Sequence, residues 1–171
     1  MRITAAPILF ILAFALFAVA QNKSVYTSTK ANACRTIRSS PEGTDSYVGE
    51  CRGLANYKVR LVEGDIRQTL DIITPTGKKF ELNFWNIFGG FSSIGEKIEW
   101  RLKGKVPVAL IARYNVADPE NYRKSISYLM VSKIDRKIAC VTDIVEPGNG
   151  QNEKARILAD VAPGKPCRAV E

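Results

Sequence analysis

The sequence predicts a mainly β fold: an antiparallel β-sandwich or partly open barrel of about seven strands with one C-terminal helix. Three features indicate this class. Apolar and polar residues alternate in short runs along most of the chain, as in strands with one buried face. Turns that contain Gly or Pro separate these runs. Near the C-terminus, residues 153–161 have apolar side chains at helical spacing.

The first twenty residues have the pattern of a secretory signal peptide. Arg2 supplies a positive start, residues 8–17 form an apolar run, and the Ala-Val-Ala sequence at 18–20 is a small-x-small cleavage site. The apolar run is shorter than the ~20 residues that a membrane-spanning helix needs. We therefore expect residues 1–20 to be removed, no transmembrane segment afterwards, and a periplasmic or secreted product that begins at Gln21.

The mature chain divides into two parts by composition. Residues 21–33 are polar and predict a flexible N-terminal segment, and residues 34–171 predict a single β domain stabilised by disulfides. The formal charge of the whole sequence is +8, and loss of the arginine in the signal leaves +7. Such a field favours contact with an anionic envelope polymer, anionic lipid or nucleic acid, although a solvated surface explains the charge equally well. We expect an anionic envelope polymer or a protein as the partner.

All four cysteines lie after the signal, and an even number in an exported chain indicates disulfides. Three connectivities are open to four cysteines. Pairing of sequence neighbours closes the shorter loops, and we therefore predict Cys34–Cys51 and Cys140–Cys167. The first pair would close a turn-rich hairpin or loop. Since the chain has neither a CxxC pair nor a histidine, we expect structural cysteines, no metal and no cofactor.

Strand-like runs follow one another from residue 57 onward. Residues 57–61 and 66–72 alternate in polarity, and the Glu-Gly-Asp sequence at 63–65 between them indicates a tight hairpin turn. A second turn, at 74–77, has Pro and Gly where a type I or II turn uses them, and residues 79–82 form a short strand after it. These runs predict consecutive antiparallel strands.

The segment 83–91, NFWNIFGGF, is rich in aromatic residues and lacks strand periodicity. Two interpretations stay open. A buried loop that fills the core is favoured, because aromatic residues dominate packing in small domains. The alternative is an aromatic rim that faces a ligand.

The stretch 91–114 contains the clearest strand pair in the sequence. Ile98, Trp100 and Leu102 alternate with charged residues, so we expect Trp100 to be buried. The opposite face of this strand, predicted to face solvent, carries Lys97, Glu99, Arg101 and Lys103. We predict a basic contact row on this face and the following turn, formed by Lys97, Arg101, Lys103 and Lys105. Because its one aromatic residue points inward, no specific nucleic-acid partner is expected.

Two further strand-like runs, 126–134 and 138–144, precede the helix. Asn152 is placed to cap a helix over 153–161. The predicted apolar stripe of this helix consists of Ile157, Leu158 and Val161.

The sequence offers little material for catalysis, because it contains no histidine. A Ser-Lys dyad would use Ser92 or Ser93 with Lys97, but a lysine on an exposed strand face lacks the burial that a catalytic lysine needs. The acidic pairs lie at a turn tip and beside basic residues, and they are Glu63 with Asp65 and Glu96 with Glu99. The acids at the turn tip are solvated and charge pairing is the favoured role on the strand face, so we expect no enzymatic activity.

A first resemblance to known proteins covers most of the mature chain. It consists of Cys34, the frame Y-x-G-x-C-x-G at 47–53, Y-x-V at 57–59, EGD-x-R at 63–67, and the strings FSSIG, EWR and PVALIARY. With this frame the chain resembles exported bacterial proteins of unassigned function. The resemblance implies an envelope location and no particular activity.

A second resemblance is local. Ser93, Gly95, Lys97, Trp100, Lys103 and Gly104 resemble the Ser-Gly-x-Lys/Arg-Tyr and Trp-x-Lys-Gly motif of the periplasmic inhibitors of c-type lysozyme. Those inhibitors are small exported β-barrels with a disulfide, and their serine and basic residue enter the lysozyme cleft, which implies this role for Ser93 and Lys97. Three positions depart from the motif: Ile94 is inserted, Ile98 replaces the tyrosine, and one extra residue precedes Lys103. An extra residue in a strand moves the following side chains to the opposite face.

The sequence therefore predicts an exported, non-enzymatic binding or structural module of the bacterial envelope. Its candidate contact residues are Ser92, Ser93, Lys97, Arg101, Lys103 and Lys105. A protein inhibitor of a lytic enzyme, as the lysozyme-inhibitor motif implies, is the first alternative. A small histidine-free hydrolase is the second.

Overall fold

The computed structural model describes residues 22–40 and 46–169. The predicted signal peptide, 1–20, and most of the turn-rich cluster between the first two cysteines, 41–45, lie outside the described residues. Within them the chain forms ten strands in two antiparallel sheets of five, together with one α-helix.

The first sheet has the strand order β1-β7-β8-β9-β10. Its strands are β1 (Lys23–Ser28), β7 (Ser92–Lys103), β8 (Val106–Asp118), β9 (Asn121–Ile134) and β10 (Ala139–Val145). The second sheet has the order β2-β3-β4-β5-β6. Its strands are β2 (Cys34–Ser39), β3 (Tyr47–Arg52), β4 (Lys58–Gly64), β5 (Arg67–Ile73) and β6 (Lys79–Glu81). The helix α1 spans Gln151–Val161, and short 3-10 turns occupy Ala31–Ala33, Phe84–Asn86 and Ala162–Gly164.

The main core lies between the two sheets. Trp100 of β7 is completely buried, as alternation along that strand predicts, and its indole Nε1 donates a hydrogen bond of 2.8 Å to Thr27 Oγ1. Leu70 and Ile72 of β5 are also fully buried and supply the opposite wall. The predicted fold class, an antiparallel β-sandwich with a C-terminal helix, is confirmed.

The N-terminal segment is more ordered than its composition indicates. Lys23–Ser28 pairs with β7 along six register positions, from Lys23 opposite Leu102 to Ser28 opposite Lys97. The expectation of a flexible segment over 21–33 is therefore corrected for β1. A polar strand forms here because β7 offers it an unpaired backbone edge.

The β4–β5 hairpin turns one residue later than the sequence indicated. Asp65 and Ile66 occupy the two central positions with φ of 54° and 57°, values that type I′ turns require and that β-branched residues rarely adopt. Gly64 remains in β4. Ile66 is 53% exposed at the tip of the hairpin, so it is not among the buried residues of β5.

The helix α1 packs on the outer face of the first sheet, and of its predicted apolar stripe only Leu158 contributes to the contact. Ala155 and Ala159 are fully buried there, whereas Ile157 and Val161 are 61% and 54% exposed. Small side chains let the helix approach the sheet closely, so they form its contact face. The capping prediction is also wrong, because Gly150 takes the N-cap position with a left-handed φ and without a side-chain hydrogen bond.

Both predicted disulfides are confirmed. Cys34–Cys51 joins directly paired residues of β2 and β3, and Cys140–Cys167 ties β10 to the segment that follows α1. Two such bonds indicate a protein that folds outside the reducing cytoplasm. In the part of the chain that the structure describes, no helix has the length and apolar character needed to cross a membrane.

Candidate functional site

The outer face of β7 is covered at Glu99 and Arg101, and the predicted basic row is therefore interrupted. Arg101 is only 4% exposed, and its guanidinium makes a bidentate pair with Asp160 of α1, with both N–O distances 2.8 Å. Glu99, 8% exposed, accepts a hydrogen bond of 2.7 Å from Arg156. The expectation that this whole face is solvent-exposed is wrong, because alternation along a strand cannot reveal that a distant helix packs on it.

The hydrogen bonds within this covered face change the pKa values of its two carboxyl groups, Glu99 and Asp160. Burial alone would raise the pKa of Glu99, but hydrogen bonds from Arg156, Ser24 and Tyr26 outweigh burial and lower it. The pKa of Asp160 is lowered in the same way, with burial opposed by Arg101. Both carboxylates are therefore kept charged as partners of arginines, which is a structural role.

The other candidate residues separate from one another in space. Ser92 is half-buried, and its Oγ accepts a hydrogen bond of 2.7 Å from the buried Tyr114 hydroxyl. Ser93 and Lys97 are exposed on the first half of β7. Lys103 and Lys105 lie at the other end of the strand, on the turn to β8. A binding role for any of these residues stays a prediction.

Lys103 and Lys105 belong to a larger basic surface at one end of the sandwich. The turns β5–β6, β7–β8 and β9–β10 meet there around a cleft of about 310 Å³. We call this surface the basic end and define it by Lys78, Lys103, Lys105, Lys133, Arg136 and Lys137. The turns are in direct contact, since Lys78 Nζ donates a hydrogen bond of 3.3 Å to the Lys137 carbonyl.

The cations of the basic end have no acidic partners. Among the described residues, none of the six forms a salt bridge. The nearby acid is Asp135, whose Oδ1 accepts a hydrogen bond of 2.8 Å from the Ile138 amide within its own turn. The cleft itself is apolar, with Pro107 and a 62% exposed Val106 in its wall. The surface thus combines unpaired positive charge with a shallow apolar floor.

The outer face of the second sheet carries a different arrangement of charges. Glu50, Arg60, Asp71 and Glu81 are direct cross-strand neighbours on β3, β4, β5 and β6. Glu50 accepts hydrogen bonds from three cations: 2.8 Å from Lys58, 3.2 Å from Arg35 and 3.3 Å from Arg60. Led by the Lys58 bond, these donors lower the pKa of Glu50 to about 2 although burial opposes them.

Asp71 has no comparable set of partners. It is 6% exposed, accepts no hydrogen bond from any residue that the structure describes, and has Lys79 Nζ at 3.8 Å. Burial is the main reason that its pKa is raised to about 6. The carboxyl group lines a cleft of about 510 Å³ that also contains Trp85 and Arg38. Sequence inspection missed this residue, although an acid between Leu70 and Ile72 in a strand was a usable signal.

The aromatic segment 83–91 is buried in one part and exposed in another. Phe84 is fully buried and packs edge-on against Tyr114, with ring centroids 5.5 Å apart. Phe91 is 52% exposed beside a cleft of about 810 Å³, in which the tilted rings of Phe88 and Tyr128 pack with centroids 4.4 Å apart. The core-filling interpretation is confirmed for Phe84, and a ligand-facing role for Phe91 stays a prediction.

No family model matches the chain, and no curated protein or solved structure matches it either. Across residues 22–40 and 46–169, no group of three or more Cys, Asp or Glu side chains is placed to hold a metal ion.

Proposed function

We propose that the protein is an exported, non-enzymatic binding module of the bacterial envelope, periplasmic or secreted, and that its basic end binds an anionic polymer. One observation carries the proposal. Three turns that are distant in sequence bring six cations, none in a salt bridge with a described residue, to one end of the sandwich around Lys105 and Arg136. Lys103 and Lys105 of the predicted basic row belong to this surface, and Arg101 does not.

The chemistry of the basic end fits a polymer with repeated acidic groups. Exposed lysines keep most of their hydration, so each contact is weak, and affinity arises from several contacts that form together. Asp135, which accepts hydrogen bonds within its own turn, is one acid beside six cations, so the basic end still attracts an external anion. Nucleic acid is disfavoured, because binding of single strands uses exposed aromatic rings and Tyr57, the ring that lines this cleft, is buried.

The test compares two triple variants with the same change in net charge. One is Lys103→Gln/Lys105→Gln/Arg136→Gln at the basic end. The control, Arg123→Gln/Lys124→Gln/Lys154→Gln, removes exposed cations elsewhere that also lack salt bridges. Titration of polygalacturonate at low and moderate salt should show about a tenfold loss of affinity for the first variant and little loss for the control.

Three outcomes would overturn this proposal. They are absence of polygalacturonate binding by the natural sequence, equal losses in both triple variants, and binding to anionic lipid vesicles without binding to the polymer. Uncharged dextran serves as the reference ligand in each titration.

Inhibition of c-type lysozyme is the second candidate function, and exposure of two motif positions supports it. Ser93 and Lys97 are both exposed on the first half of β7, while Gly95 between them lies against Arg113, where a Cβ would approach Arg113 Cβ to 2.9 Å. If these two side chains enter an enzyme cleft, Ser93→Ala or Lys97→Ala alone should abolish inhibition with little dependence on salt. Absence of a stoichiometric complex with c-type lysozyme excludes this function.

A further inference from the structure

A second site lies on the outer face of the second sheet, away from the basic end. Strands β2 to β6 and the turn that carries Trp85 border the cleft around Asp71. The floor of this cleft contains the Asp71 carboxylate, which accepts no hydrogen bond from residues 22–40 and 46–169 and has Lys79 Nζ at 3.8 Å. A buried polar group without a partner costs stability, so a ligand that donates to it would recover that cost.

The charges around the cleft select against ionic ligands. Arg38, Arg60 and Lys79 line it and would repel a cation, and Asp71 with Glu81 would repel an anion. A neutral molecule with many hydroxyl groups meets both sets of charges favourably, because each hydroxyl can donate to a carboxylate and accept from a guanidinium or ammonium group.

The remaining wall of the cleft is apolar and partly aromatic. Trp85 is half-buried and contributes to this wall together with Val48, Val62 and a 42% exposed Ile37. An indole surface beside hydrogen-bonding side chains suits a ring that has apolar C–H faces and a polar edge. A pyranose ring has both.

We propose that the Asp71 cleft binds a neutral saccharide, with Asp71 and Glu81 accepting hydrogen bonds from its hydroxyls and Trp85 packing against a sugar face. This site is separate from the basic end, and the inference does not depend on polyanion binding. A volume of about 510 Å³ accommodates a short oligosaccharide segment within the usual size range of ligand sites.

The test is titration of the oxidised protein with neutral tetrasaccharides of glucose and of N-acetylglucosamine, followed by NMR. The two tryptophans give separate indole N–H signals. The signal of the half-buried Trp85 should shift on binding, while that of the fully buried Trp100 should not change. Assignment uses Trp85→Phe. Asp71→Asn keeps the side-chain shape and should weaken binding by about tenfold or more, as expected for loss of a charged acceptor.

Two further variants separate binding from folding. Trp85→Ala should abolish binding. This variant tests the role of the cleft in sugar binding even if Asp71→Asn alters the fold. Glu96→Gln removes an exposed carboxylate of the first sheet and should leave affinity unchanged. The basic-end triple variant should also keep saccharide binding, so that failure of one proposal does not affect the other.

The proposal fails if neither tetrasaccharide binds at millimolar concentration, or if Asp71→Asn and Trp85→Ala both leave affinity unchanged. It also fails if a galacturonate tetramer or the polyamine spermidine shifts the Trp85 signal at lower concentration than the neutral sugars, because the cleft would then select a charged ligand.

Discussion

Buried charges under α1 on the first sheet and at Asp71 on the second sheet differ in how well they are partnered. On the first sheet, α1 covers β7, and each buried charge has a partner: Arg101 pairs with Asp160 and Glu99 with Arg156. On the second sheet, no helix of the described residues packs over Asp71, and its carboxylate accepts no hydrogen bond within them. A buried charge is tolerated when it is paired and is costly when it is not.

This difference separates structural polar residues from candidate functional ones. The ion pairs under α1 attach the helix to the sheet, so their removal should weaken folding. Asp71 performs no such task, so its removal should cost the fold little and affect a ligand instead. Destabilising groups of this kind are common at binding sites, where function retains them.

The largest expected effect is on the covered face. Arg101→Met should lower the free energy of unfolding by ~3 kcal/mol, because it removes the bidentate pair between β7 and α1 and leaves the mostly buried carboxylate of Asp160 without its arginine. The double variant Arg101→Met/Asp160→Leu should recover part of this loss, since no unpaired charge remains. Chemical denaturation measures both, with exposed Lys97→Met as a control that should change stability by less than about 0.5 kcal/mol. Equal stability of the single and double variants would contradict the pairing argument.

The next effect concerns the fit of α1 on the first sheet. Ala159→Leu should cost ~1–3 kcal/mol, because a larger side chain at a fully buried contact forces the helix away from β8 and β9. Ile157→Ala on the same helix should change the free energy of unfolding by less than about 0.5 kcal/mol, since Ile157 is mostly exposed. If Ile157→Ala proved the more damaging, the apolar stripe predicted from sequence would be the true contact face.

A smaller effect of opposite sign is expected on the uncovered face. Asp71→Asn should raise the free energy of unfolding at pH 7 by ~1 kcal/mol, because an amide is less costly to bury than a carboxylate. Chemical denaturation of Asp71→Asn and of the natural sequence measures the gain, and Glu81→Gln, a change at the neighbouring carboxylate, is the comparison variant. A clear loss of stability would mean that Asp71 has a structural role that the distances do not reveal.

The smallest effects appear in the pH dependence of stability. The pKa of Asp71 is raised to about 6 in the folded protein, so the native state binds this proton more tightly and gains stability as the pH falls from about 6 to about 4. The pKa of Glu50 is lowered to about 2, so its contribution is present above pH 4.5 and is lost as the pH falls towards 2.

Urea denaturation between pH 2 and pH 8 separates the two carboxyl groups. Asp71→Asn should flatten the upper window, in which Arg38, Arg60, Lys79 and Glu81 are the charged groups that line the cleft. Glu50→Gln should flatten the lower window. An unchanged upper window in Asp71→Asn would show that another group titrates there.

Local patterns were sufficient to predict much of the fold. Alternation along β7 correctly predicted that Trp100 and Leu102 are buried, because successive side chains of a strand point to opposite faces. Neighbouring cysteines paired because their segments are adjacent strands or lie next to one another after a short helix. The sandwich class, the late helix and both disulfides all depend on interactions between residues that are close in sequence or periodic along one element.

The candidate sites depend on contacts that no local pattern contains. Lys105 and Arg136 line one cleft because three turns converge at one end of the sandwich. Arg101 is buried because α1, about sixty residues later in the sequence, packs on it. Within the described residues Asp71 accepts no hydrogen bond and has Lys79 Nζ only at 3.8 Å, because its cross-strand neighbour Arg60 is already engaged by Glu50. The sequence by itself determined which residues form strands and which face of each strand is apolar. Only the tertiary structure decided which polar faces are covered, because burial of a charge depends on what packs above it.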